Sequence, residues 1–232
     1  MTTDPHARKI GLILGSASPR RSALLRQIGA AFEIRIPNSD ETIKDITQPG
    51  EYVSELSLRK ASAVSLMVKD DLSAHVKYNR LIIIGADTIV VTREGEILGK
   101  PVDSNDAKHM LKTLSGEWHE VYTGVTLIDM SATQDGIEEA DFINGVTPNK
   151  PLVKYETTRV KICEMDDVTI DYYISTGEPY GKAGAYAIQG AGSMFIERVE
   201  GCYYNVVGLP LGLLRSMLYT FGYDLLKKKS LG

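Results

Sequence analysis

Ile10-Gly-Leu-Ile-Leu-Gly-Ser-Ala-Ser-Pro-Arg-Arg-Ser-Ala-Leu-Leu-Arg-Gln-Ile-Gly29 changes character at its centre. Residues 10–14 are a continuous apolar run, which reads as a buried strand ending at Gly15. Ser18 suits a helix N-cap, Pro19 the first helical position and Gly29 the C-terminal stop. A strand, a small-residue turn and a helix therefore open the chain.

Working outward, Val53, Leu56, Val64 and Met67 recur at helical spacing between Pro49 and Val68. Lys60 falls on that same stripe, where a core residue is expected. Leu81–Ala86 is apolar throughout and β-branched, as suits a central strand buried on both faces. Ile89–Val91 continues it, and Glu96–Leu98 returns as a hairpin after Glu94-Gly95. Ser104–Leu114 reads as a helix capped by Ser104, with Gly116 past its end. Strands are predicted over 121–130, 154–163 and 194–199, and a helix over 168–176 closed by Gly177. Leu211, Leu214, Leu218, Phe221 and Leu225 form the inner face of a last helix. Residues 131–152, rich in Asp, Glu, Gly, Asn and Pro, read as a solvated insertion. There is no internal repeat and no linker. The pattern predicts one α/β (mixed α+β) body over 1–232, with room for two lobes around a cleft.

The chain has 232 residues, 43% of them hydrophobic, and a formal net charge of −4. That composition supports a core of its own and excludes a disordered chain. The acidic balance argues against binding nucleic acid through broad phosphate neutralisation. It leaves room for a single nucleotide, which a few cations can hold. The basic run Lys227–Lys229 is expected to solvate the end of the last helix. Cys163 and Cys202 make neither a disulfide framework nor a CxxC pair and read as buried thiols. No secretory leader and no apolar run of membrane length is visible, so a reducing cytoplasm is the expected location.

Three features carry chemistry. Arg20 and Arg21 sit in the first turn of a helix, where they oppose the helix dipole unless an anion is bound there. Guanidinium groups match phosphate oxygens bidentately; the alternative is two exposed arginines on a capped helix. Asp87 follows a buried strand, where a carboxylate must be paired, hydrogen-bonded or bound to a metal. Crevices at strand ends hold ligands in open α/β sheets, although Asp87 could equally cap a turn through Thr88. Lys60, Lys100 and, more weakly, Lys182 are lone cations in apolar or turn settings, where snorkelling is the plain alternative. Gly99-Lys100-Pro101 is not a P-loop, and Gly190-Ala191-Gly192 lacks the third glycine of a dinucleotide fingerprint. His119 lacks a zinc-helix partner and reads as a hydrogen-bonding residue at a strand entry. No nucleophile elbow is present.

Five segments then occur in a telling order: Ser16-Ala-Ser-Pro-Arg-Arg21, Ala86-Asp-Thr88, Gly99-Lys-Pro101, Lys182-Ala-Gly-Ala-Tyr-Ala-Ile-Gln-Gly190 and Gly201-Cys-Tyr-Tyr-Asn-Val-Val-Gly-Leu-Pro210. Together they resemble the Maf family of nucleoside triphosphate pyrophosphatases, over residues 10–222. The resemblance implies a two-lobed fold akin to inosine-triphosphate pyrophosphatases, with a central mixed sheet and a cleft. It implies hydrolysis of a triphosphate to the monophosphate and pyrophosphate with Mg²⁺, or else Mn²⁺ or Co²⁺, often in a homodimer. Asp87 corresponds to the catalytic carboxylate and Glu41 to a second acidic residue, the two holding the metal. Arg20, Arg21, Lys60 and Lys100 correspond to phosphate-binding cations, and Ser16, Thr88 and Gln189 to substrate contacts. The Lys182–Gln189 segment resembles the subgroup acting on dTTP and UTP rather than the one acting on methylated GTP. Gly181 and Ala187 depart from that subgroup's usual acidic residue and glycine. A binding protein that has lost turnover is the competing expectation; retention of Asp87, Glu41 and every cation speaks against it.

Overall fold

The computed structural model describes residues 10–38, 43, 48–69, 71, 78, 80–131, 150–226 and 229–230. The opening strand β1 (Ile10–Gly15) lies parallel to β2 (Glu33–Ile34) on one side and to β3 (Arg80–Val91) on the other. β4 (Ile97–Leu98) returns antiparallel on β3 as the predicted hairpin. β5 (Trp118–Ser131) runs antiparallel to the whole of β3, from Arg80↔Ser131 to Val91↔Glu120. β6 (Leu152–Ile162) and β7 (Ile196–Glu200) extend the sheet antiparallel. The result is a mixed seven-stranded sheet ordered β2-β1-β3-β5-β6-β7, with β4 beside β3. A short ribbon pairs β8 (Tyr223–Asp224) with β9 (Lys229–Ser230).

Helices α1 (Pro19–Gln27), α2 (Pro49–Lys69), α3 (Ser104–Leu114), α4 (Asp167–Ser175), α5 (Tyr203–Val207) and α6 (Leu211–Thr220) surround the sheet. The period of two in a strand sorts the central residues between its faces. Leu12, Leu14, Ile82, Ile84 and Ala86 share a core with Leu24 and Leu25 of α1 and Leu214, Met217 and Leu218 of α6. Ile13, Leu81 and Ile83 instead pack on Ala61, Val64 and Val68 of α2. A further core joins α3 and α4 to Val90, Leu98, Val121, Val160 and Ile162 at the other end of the sheet. Burial of these side chains at about 25 cal/mol per Å² of apolar surface drives the assembly.

The limits of pairing along β3 open the site. β1 stays paired with it only as far as Gly15↔Gly85, and β4 joins it only at Val90↔Leu98. On that side Ala86–Ile89 have no strand partner among the described residues, so a crevice opens there, beyond the carboxyl end of β1. α2 crosses the opposite face at close range. A Cβ at Gly85 would run into the Ser57 carbonyl, and one at Gly124 into the Val53 carbonyl.

Several sequence expectations need correction. Asp103, not Ser104, caps α3, its carboxylate accepting the Asp106 N–H at 2.8 Å. β5 begins at Trp118, three residues early, because Trp118–Glu120 still have partners on β6. Met194 and Phe195 belong to the 3-10 turn Gly190–Phe195 and not to β7. The last helix stops at Thr220, where Gly222 takes φ +68°. Leu225 is buried beyond its end, and Lys229 pairs in β9 rather than finishing a helix, while Lys227 and Lys228 lie outside the described residues. Cys163 and Cys202 are free, as expected, but half-buried rather than buried. The expected insertion joins β5 to β6, and residues 132–149 lie outside the described residues. No helix among the described residues is long and apolar enough to cross a membrane.

Candidate active site

Ser18 ends the turn after β1 with extended φ/ψ and accepts the Arg21 N–H at 3.5 Å, starting α1 with Pro19 in its first turn. Its own N–H donates to Ser16 Oγ at 3.2 Å. This turn and the first residues of α1 wall a cavity of about 300 Å³ that fills the crevice beside β3. The cavity is also lined by Lys60, Asp87, Thr88, Lys100, Gln189 and Gly208. Residues from six separate segments thus meet at one opening.

Lys60 and Asp87 form an ion pair on the cavity wall, with their side chains 10% and 13% exposed. The close seating of α2 on Gly85 and Gly124 makes the pair possible, since Gly124 is the register partner of Asp87. Asp87 lies inside β3 rather than capping a turn, because the strand continues to Val91. A carboxylate this shielded from water is costly without such a partner. Asp87 is the only acidic residue lining the cavity among the described residues, against Arg20, Arg21, Lys60 and Lys100.

The two arginines behave differently. Arg21 is 8% exposed, and its guanidinium is engaged with the protein. Nε donates to the Gly208 carbonyl at 2.8 Å, Nη1 to Ser16 Oγ at 3.1 Å and Nη2 to Thr88 Oγ1 at 3.0 Å. Arg20 is half-buried at the cavity, and burial pulls its guanidinium below the ordinary value. Lys182 is also held low, by burial first and then by the charge of Arg20, against the opposing pull of Glu178. Cations are therefore crowded here, and a bound anion would relieve the crowding.

Thr88 continues the network inward. The Thr123 hydroxyl donates to the Asn205 carbonyl at 3.0 Å, so the 3.0 Å bond between Thr88 and Thr123 is donated by Thr88. Asn205 Nδ2 then donates to the Val121 carbonyl at 2.8 Å and to Thr158 Oγ1 at 2.9 Å. Neither Thr123 nor Thr158 carried any sequence signal, since a hydroxyl in an alternating strand reads as surface. Asn205 had one, its place in the Gly201–Pro210 segment.

Buried Tyr186 also lines the cavity, and its hydroxyl meets His119 Nε2 at 2.7 Å. His119 is indeed a strand-entry hydrogen-bonder, and burial lowers its pKa to about 4. Gln189 is exposed at the cavity edge. Of the site residues read from the sequence, Ser16, Arg20, Arg21, Lys60, Asp87, Thr88, Lys100 and Gln189 share this cavity. Glu41 lies outside the described residues. No group of three or more His, Cys, Asp or Glu among the described residues is placed to hold a metal ion.

Comparison with known proteins agrees over nearly the whole length. The family model described as "Maf-like protein" matches residues 11–221. The dTTP/UTP pyrophosphatase of Acetivibrio thermocellus is 44% identical over 219 residues, covering 94% of this chain and 99% of that one. That of Caldicellulosiruptor bescii is 46% identical over 216 residues, covering 93% and 97%. Among solved structures, the Staphylococcus aureus Ham1 protein is similar at TM-score 0.43 and 9% identity, over 90% of this chain and 98% of that chain. With the family match running from the second residue of β1 to just past α6, this chain belongs to the Maf family.

Proposed function

We propose that this protein is a nucleoside triphosphate pyrophosphatase that hydrolyses dTTP and UTP to the monophosphate and pyrophosphate. The observation that carries the reading is the Lys60–Asp87 pair, set in a cavity whose other charged lining residues, among the described residues, are cations. The names of the full-length relatives support the substrate class.

The chemistry follows from the charges. Asp87 orients a water and takes its proton as the water oxygen bonds to the α-phosphorus. The bond from the α-phosphorus to the oxygen bridging to the β-phosphorus breaks, and pyrophosphate leaves with that electron pair. Arg20, Lys60 and Lys100 hold the charge that develops on it, together with the positive end of the α1 dipole. Arg21 holds Ser16 and Thr88 in place against Gly208. Nucleotide pyrophosphatases of this family generally use a divalent metal. A buried carboxylate facing a polyphosphate offers the all-oxygen donors that Mg²⁺, Mn²⁺ or Co²⁺ takes, and Asp87 with Glu41 would hold the ion. Bound there, the ion would supply neutralisation of phosphate charge. The amide of Gln189, with one donor and one acceptor face, reads the O4 and N3–H edge of uracil or thymine.

The test is a panel of pyrimidine and purine triphosphates, including methylated GTP, assayed for pyrophosphate and for orthophosphate with Mg²⁺. Pyrophosphate from dTTP and UTP is expected. Binding without turnover would indicate a sensor, and orthophosphate a stepwise phosphatase; either result rejects the proposal.

A further inference from the structure

The segment from Lys182 to Gly192, which carries Tyr186 and Gln189, contains only two short 3-10 turns and no strand. Its backbone N–H groups need partners from elsewhere. Two residues that do not line the cavity supply three of these. The Ala187 N–H donates to Tyr173 Oη at 3.3 Å, and the Tyr173 hydroxyl donates to Glu178 Oε1 at 2.9 Å. The same carboxylate accepts the Gly192 N–H at 2.9 Å and, through Oε2, the Ala191 N–H at 3.0 Å. Ile188, Gln189 and Gly190 are thus bracketed by two ties that meet on one side chain.

The clamp is stiff at both ends. Tyr173 is 2% exposed in α4, with its ring edge-on to Phe195. Glu178 stands just past that helix, its N–H on Thr176 Oγ1 at 3.1 Å and its carbonyl taking the Lys182 ammonium. Gly190 takes φ +73°, and a Cβ there would press against the Glu178 carboxylate, so the chain passes in direct contact with it. Burial by itself would raise the Glu178 carboxyl. The Gly192 and Ala191 N–H groups, the Tyr173 hydroxyl and the Lys182 charge outweigh burial and hold the group below the usual carboxylate range. The acceptor is therefore ionised at neutral pH, and bonds to a charged acceptor are the stronger kind.

We infer that Glu178 and Tyr173 are positioning residues for substrate selection: they set the backbone of Ile188–Gly190 and hence where the Gln189 amide meets the pyrimidine. This inference rests on the proposed reading of Gln189. Neither residue touches the phosphates, so their loss acts on binding and base choice and leaves the chemical step alone.

The full-length enzyme and its Glu178→Gln, Tyr173→Phe and Gln189→Ala variants are assayed with UTP, dTTP and CTP. Thermal unfolding is followed in parallel. Glu178→Gln keeps the shape but turns an amide NH₂ toward one backbone N–H; Tyr173→Phe keeps the packing and removes the relay. Each is expected to raise KM for UTP about tenfold, with kcat within about twofold. Discrimination of UTP against CTP should fall toward that of Gln189→Ala, and adding Gln189→Ala to either variant should cost little more. Folded variants that keep the wild-type KM and discrimination, or that lose kcat equally on every nucleotide, overturn the inference. If Gln189→Ala itself leaves discrimination intact, the base-reading role fails and the inference fails with it. If only Gln189→Ala loses discrimination, base reading stands and the positioning role alone is rejected.

Discussion

Lys60 on α2 and Asp87 on β3 are joined in an ion pair on the cavity wall because the helix rests directly on the glycines of two neighbouring strands. A methyl at Gly85 or Gly124 would have to displace backbone, which cannot rotate away as a side chain can. Gly85→Ala and Gly124→Ala should each destabilise the fold by about 1–3 kcal/mol, the usual cost of overpacking. Both should lower turnover as well, by moving Lys60. Gly212→Ala in α6, where a Cβ meets nothing within 4 Å, should be neutral or slightly stabilising. Urea unfolding of the three variants checks this ordering.

Asp87→Asn removes the proposed proton acceptor while keeping shape. kcat/KM on UTP should fall far more than tenfold, a loss well above about 1.4 kcal/mol, with circular dichroism unchanged. A variant retaining a tenth of wild-type activity contradicts the assignment. Lys60→Ala should lower activity on the order of 10²-fold and destabilise the protein too, since it strands a buried carboxylate.

The two adjacent arginines should separate. Arg20→Ala should reduce kcat/KM on the order of 10²-fold with little change in Tm, because it removes charge from the cavity and no bond to another side chain among the described residues. Arg21→Lys should lower Tm as well as activity, since an ammonium cannot replace the planar fork that reaches Ser16, Thr88 and Gly208 together. Equal loss of Tm in both variants would contradict this division.

Those arginines also mark what could be read before the fold was known. The period change at Gly15, with Ser18 and Pro19 behind it, announces β1 and α1, and both form there. Lys60 on an apolar stripe announces a buried cation, but nothing local names Asp87 as its partner, because only the α2–β3 packing brings them together. Element ends were less legible. β5 starts early and Met194 leaves β7 because cross-strand pairing, which no local pattern reports, decides both limits. Glu178, Thr123 and Thr158 were invisible for a related reason: their value lies in backbone and hydroxyl partners distant in sequence. The convergence of Ser16, Asp87, Lys100 and Gln189 came from the family resemblance, and the cavity now gives it a physical basis.

His119 supplies a pH dependence. Its pKa is lowered to about 4 by burial, against an ordinary 6.5. Below about pH 6.5 the unfolded chain binds a proton that the folded state refuses, so stability falls as pH drops toward 4. At pH 4 the loss amounts to about 3 kcal/mol. His119→Gln, which can still bond the Tyr186 hydroxyl, should flatten this part of the acid limb in a Tm series from pH 7 to pH 4. An unchanged acid limb in the variant would show that His119 is not its source.

Hydrolysis of UTP in ¹⁸O-labelled water tests the central claim most directly, because it reports which phosphorus the Asp87-oriented water attacks. Pyrophosphate and UMP are the expected products, with the label in the UMP phosphate and none in the pyrophosphate. Label in the pyrophosphate, or orthophosphate as the first product, would contradict it.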